Sequence, residues 1–357
     1  MTQNGLRWLP AAVVPVVIAV GALAVPWQAG AAVDLPEKSP QDVLELAANS
    51  SVDALSGTIE QSSHLGLPEL PQTMEQSAPG ADGFLELLTG SHSARVYLDG
   101  PDKARLQVKD RLGERDLVLN GTDAWFYDFD ENAVIHATLP QHSESESHSS
   151  DGTVGTPEQL AEHFLKAVEP STEVALGPNV AVAGRTAYTL LLTPRASETL
   201  TRSVSIAVDS ATGLPLGVEV LARGQEQPAF EVAFTELSFA TPDPSRFSFV
   251  PPVGAEVTEQ VIPDPAQEMP AVPEGEFSPM PGLQPTVIGS GWDAVLVLPA
   301  AVVPADVADS PLFGELTRRV DGGQLLSSAL LNVLMTDDGR VIVGSVPAGR
   351  LQTVAGQ

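Results

Sequence analysis

The chain has 357 residues, 43% of them hydrophobic but only 5% aromatic, so a folded interior must be mostly aliphatic. Its 46 acidic against 18 basic residues, a net charge of −28, exclude a nucleic-acid binder, which needs a basic stripe for phosphates. With no cysteine, disulfides, thiolate chemistry, cysteine-based metal sites and lipidation at an N-terminal cysteine are all excluded.

At the N-terminus, Arg7 precedes an uncharged apolar run from Trp8 to Trp27, and Ala29-Gly30-Ala31 supplies a small-residue cleavage pattern. Residues 1–31 read as a signal peptide or an N-terminal membrane anchor; Pro10, Pro15 and Pro26 weaken the anchor reading. Either way the chain is expected to be exported.

Ser39-Pro40-Gln41-Asp42 is a helix start: serine as cap, proline in the first turn, an acid behind it. From Asp53 to Leu139 the apolar period falls to two. KARLQVKD, RDLVLNG, DAWFYDF and NAVIHATL predict consecutive antiparallel strands, with an irregular loop at Gly66–Phe84. Gln141–Thr153 is a polar, low-complexity loop whose His142 and His148 lack any ordered shell that would make them metal ligands. Thr156-Pro157-Glu158-Gln159 starts a second helix, with Leu160, Phe164 and Val168 on one face and His163 off it.

Strands resume at Val180–Pro194, Thr201–Ser210, Leu214–Gly224 and Ala229–Phe239. Residues 32–257 thus predict one α+β domain, an antiparallel sheet with short helices. Residues 258–285 are a proline-rich linker. Residues 286–357 predict a small C-terminal α+β domain. Its strands are Gly291–Leu298, Ser327–Thr336 and Arg340–Val346, with a turn at Asp337-Asp338-Gly339 and a helix at Pro347–Ala355. At about 70 residues its core is marginal, so it should dock on the first domain or on a partner.

Local motifs for chemistry are missing. GSGWDA at Gly289–Ala294 has the spacing of a loose dinucleotide fingerprint but leads into a strand instead of a helix. DFDEN at Asp128–Asn132 opens like a calcium loop, yet Ala133 and Leu139 stand where glycine and a bidentate glutamate are required. Neither G-x-S-x-G, H-E-x-x-H nor a P-loop occurs. No enzyme, cofactor or metal is expected.

What remains is the alternation itself. Tyr188, Leu190 and Leu192 share a face, as do Val204, Ile206 and Val208, then Val218 and Val220, then Phe230, Val232 and Phe234. In the first half, Leu106 with Val108 and Trp125 with Tyr127 repeat the pattern. Such a face either packs a core under the helices or lines a partly filled cavity able to take an acyl chain.

NGTDAWFYDFDENAV, AGRTAYTLLLTP, VDSATGLPLGVEV and FTELSFATPDPSRFSFVPPVGAEV, in that order, resemble the LolA/RseB-type family. Gly121, Trp125 and Tyr127, with the run Asp209–Pro215, are the more specific pieces. The resemblance implies an unclosed β-barrel capped by helices, in an extracytoplasmic protein that binds acyl chains. It leaves two roles open: a carrier of lipid or lipoprotein, or a sensor whose second domain binds a membrane anti-sigma factor. A hydrolase with a non-local site is the third reading.

Overall fold

A computed structural model describes residues 33–67, 90–109, 114–139, 170–261, 285–300 and 316–357. The apolar leader, the polar loop at Gln141–Thr153, the helix expected after Thr156 and most of the Gly66–Phe84 loop and the linker lie outside the described residues.

Helix α1 (Pro40–Ala48) begins as its sequence dictates. The Ser39 hydroxyl accepts from the Asp42 amide at 3.2 Å, and the Asp42 carboxylate accepts from the Ser39 amide at 2.7 Å, a reciprocal cap. Then come β1 (Ala54–Ser63), β2 (Gly90–Asp99), β3 (Lys103–Lys109), β4 (Glu114–Asn120), β5 (Asp123–Asp128) and β6 (Ala133–Thr138). After them follow β7 (Thr172–Leu176), β8 (Val180–Val182), β9 (Arg185–Pro194), β10 (Thr201–Asp209), β11 (Pro215–Ala222), β12 (Phe230–Ser238) and β13 (Glu256–Val261). These strands form one sheet in the order β13-β6-β5-β4-β3-β2-β1-β12-β11-β10-β9-β7, with β8 also on β9. Every pairing is antiparallel except β13 with β6. The sheet is curled and unclosed. Strands β7 and β13 were not expected; β13, a parallel partner, arrives by a long crossover and leaves no hairpin signal in the sequence, and β7 is a short antiparallel strand on β9.

The turn at Asp209–Leu214 anchors the helix to the sheet. Asp209 accepts from the amides of Ala211 (3.1 Å) and Thr212 (2.8 Å), from the Thr212 hydroxyl (2.9 Å) and from Arg185 Nη2 (2.9 Å). Burial alone would push this carboxyl up; the guanidinium and the turn donors hold it below its ordinary range. Gly213 has φ +76°, and a Cβ there would lie 2.0 Å from the Leu46 carbonyl oxygen, so α1 rests directly on the turn.

A second, six-stranded antiparallel sheet runs β14 (Thr286–Ile288), β15 (Val295–Leu298), β19 (Val341–Gly344), β18 (Asn332–Thr336), β17 (Gly323–Ser327), β16 (Thr317–Val320). Helix α2 (Ala348–Ala355) buries Leu351 and Val354 against Val295, Leu325, Leu334 and Ile342. Two expected strands are shorter here. Gly291–Asp293 is a 3₁₀ turn ahead of β15, and the Ser327–Thr336 strand is divided by a turn in which Ser328 and Leu331 bond each other.

Candidate functional site

Strand register decides which side chains share a face. Across β9, β10, β11 and β12, Leu190, Ile206, Val218 and Val232 stand opposite one another, as do Leu192, Val204, Val220 and Phe230. Gln61 of β1 continues this face opposite Val232, and Ile59, Ala94 and Val108 carry it through β1, β2 and β3. On β3–β6 the same face presents the row Leu106, Leu117, Phe126, Ile135 beside the row Ala104, Leu119, Ala124, Ala137. On the other side of the large residues lies Val108, Arg115, Asp128, Ala133, where Arg115 Nε pairs with Asp128 Oδ2 at 3.4 Å.

The two halves of this one face differ in cover. On β9–β12 it is core. Val43 of α1 packs on Tyr188, Leu190 and Val208, with Ile206 beside them. Trp292 and Leu330, from the second sheet's turns, pack on Leu192, Val204, Val218, Val220, Phe230 and Val232. On β4–β6, Leu117 is 44% exposed, Phe126 37% and Ile135 36%. The result is an apolar band two rows deep, open among the described residues and edged by an ion pair.

The residues expected to line a cavity therefore divide. Leu106 and Val108 lie in or beside the open band. Tyr188, Leu190, Leu192, Val204, Ile206, Val208, Val218, Val220, Phe230 and Val232 share its face but are packed under the helix and the second sheet. Phe234 joins Val182, Ala187, Ala207, Leu216 and Ala233 in a separate cluster, next to the register shift that leaves Thr235 unmatched in β12. Trp125 and Tyr127 are a correction to the expected shared face: they point to the side opposite Leu106, where Phe249 covers both at 5.5 and 5.9 Å between ring centroids. Leu117, Phe126 and Ile135 went unrecognised. In DAWFYDF both parities are aromatic, and alternation alone cannot choose between them.

On that opposite side Trp125 stacks on His136 at 3.8 Å. His136 bridges two strands: Nδ1 meets Glu259 of β13 at 2.7 Å and Nε2 meets Asp123 of β5 at 3.0 Å. Burial lowers the imidazole pKa, but the two carboxylates more than reverse this and leave it raised above 6.5. The two ring nitrogens serve different carboxylates, so the trio is a clasp on the edge strand. Among the described residues no group of three or more histidine and carboxylate side chains could hold a metal ion. Nor is any described helix long and apolar enough to cross a membrane.

No family model and no curated protein matches the chain. Among solved structures it is similar to MucB, at 17% identity and a TM-score of 0.40 over 88% of this chain and 96% of that one. It is similar to the MucA/MucB complex of Pseudomonas aeruginosa at 18% identity and a TM-score of 0.35, with the same coverage. A LolA superfamily protein from Nitrosomonas europaea matches at 12% identity and a TM-score of 0.21, over 60% of this chain and 99% of that one. The unclosed sheet with a helix on one face is the arrangement that the resemblance to LolA/RseB-type proteins implied. Scores at this level assign no role to any residue.

Proposed function

We propose that the chain is an extracytoplasmic, non-enzymatic binding protein that holds an acyl chain of a lipid or lipoprotein on the open band of β3–β6. One observation carries this reading: among the described residues Leu117, Phe126 and Ile135 lie uncovered, in register, on the same face that elsewhere forms the core. Soluble proteins leave such contiguous apolar surface open chiefly where something binds. Each methylene buried there contributes about 0.8 kcal/mol, so a long chain is held without a polar anchor. An aliphatic surface discriminates weakly between chains, which suits a carrier. The division at 32–257 and 286–357, the first unit carried on to Val261 by β13, with 1–31 directing export, belongs to the same proposal.

The alternative is a sensor that binds a membrane-bound anti-sigma factor; the presence of a second sheet, which a simple carrier does not require, favours it. Extraction and mass spectrometry of lipid from the gently purified full chain tests the proposal. Stoichiometric acyl lipid supports it. A lipid-free protein that also takes up none from vesicles and captures a membrane protein instead would transfer the function to the sensor.

A further inference from the structure

Trp292 and Leu330 come from the second sheet yet are buried in the first sheet's largest cluster, among Leu192, Val204 and Val220. Their placement is fixed from several sides. The Trp292 indole N–H donates to the Thr172 hydroxyl at 2.7 Å. Gly291, at φ +64°, lets the backbone pass so close to β7 that a Cβ would stand 2.8 Å from Ser171 Cβ. The Ala329 amide donates to the Leu65 carbonyl at 2.7 Å and the Leu200 amide to the Ser345 carbonyl at 2.8 Å.

The cluster under Trp292 reaches Ile59 of β1; Ala94 and then Val108 continue its row, and Val108 stands two residues from Leu106 on the same face, at the margin of the open band. From β6 to β1 is five strand spacings, roughly 24 Å at about 4.8 Å each. An acyl chain laid across the strands would keep its polar head beside β6, where the edge strand β13 is exposed, and its methyl end toward β1. There it meets a wall supplied by the second sheet.

We infer that Trp292 and Leu330 are this wall: they set the longest chain the band accepts, making the second sheet the specificity element of the first. The inference rests on the acyl-band reading above. Affinities of the full chain for saturated fatty acids of increasing length test it, in the wild type, Trp292→Ala and Leu330→Ala, each checked for an intact fold by circular dichroism. In the wild type affinity should climb by about fourfold per methylene and then level off. Opening the wall should move the levelling point to longer chains, tightening those beyond the wild-type limit at least about tenfold while shorter chains bind as before. Leu330→Ala, the smaller truncation, carries the test if Trp292→Ala does not fold. A wild type that binds no chain overturns the band reading and the wall with it. A wild type that levels off at a point neither variant moves overturns the wall alone.

Discussion

The β9–β12 and β3–β6 halves share one face of one sheet and the same alternation, yet one is core and the other is surface. The difference lies in what crosses them. Helix α1 and the Trp292–Leu330 contact cover the first half. On the second half Leu117, Phe126 and Ile135 remain exposed. Burial in a sheet protein is thus a property of the covering elements as much as of the strand's own pattern.

The largest effect should separate the halves outright. Leu190→Asp places an unpaired carboxylate under α1 and should cost more than about 4 kcal/mol, a large share of the roughly 5–15 kcal/mol that keeps a domain folded. Leu117→Asp on the open half should change stability by less than about 1 kcal/mol. Urea titrations of the two variants side by side check this; equal losses would abolish the distinction. Arg185→Ala comes next. It strands the buried Asp209, and removing one partner of such a pair costs about 3–5 kcal/mol. The exposed Arg319–Asp337 pair of the second sheet should by contrast yield less than about 1 kcal/mol.

Titration sharpens the same contrast. The Asp209 pKa is depressed on folding, so its stabilisation is present above the ordinary value of 3.8 and lost as pH falls through the folded value. Acid should therefore weaken the packed half through the Arg185–Asp209 turn. His136 works in the other direction. Its pKa is raised, so the clasp on β13 is fully present below 6.5 and lost as pH rises through the folded value. Hydrogen exchange at β6 and β13 amides, corrected for the intrinsic rate, should quicken on the alkaline side while β9–β11 amides stay protected. Replacing His136 with Gln should remove the dependence. The smallest effect is local: Ser39→Ala removes the α1 cap and should cost about 1 kcal/mol by thermal melt.

How much of this was legible depended on whether the signal was local. The Ser39 cap, the Asp209–Leu214 turn and the strands from β3 to β6 and β9 to β12 are written in neighbouring residues, and each forms about where the pattern places it. Two features are not local. The parity of DAWFYDF is settled only when Phe249 arrives from more than a hundred residues away to cover Trp125 and Tyr127. The cover on Val218 and Val220 comes from Trp292 and Leu330, which no periodicity in β11 announces. The sequence pattern found the apolar face, but its own residues could not say which half would stay open.

The most direct test of the central claim is binding of a fluorescent acyl probe to the full chain and to the double variant Leu117→Asp/Phe126→Asp, with urea unfolding measured on both. The account predicts saturable micromolar binding by the wild type and at least about a tenfold loss in the variant, or about 1.4 kcal/mol, with stability nearly unchanged. Equal binding by the two proteins, or none by the wild type, would contradict it.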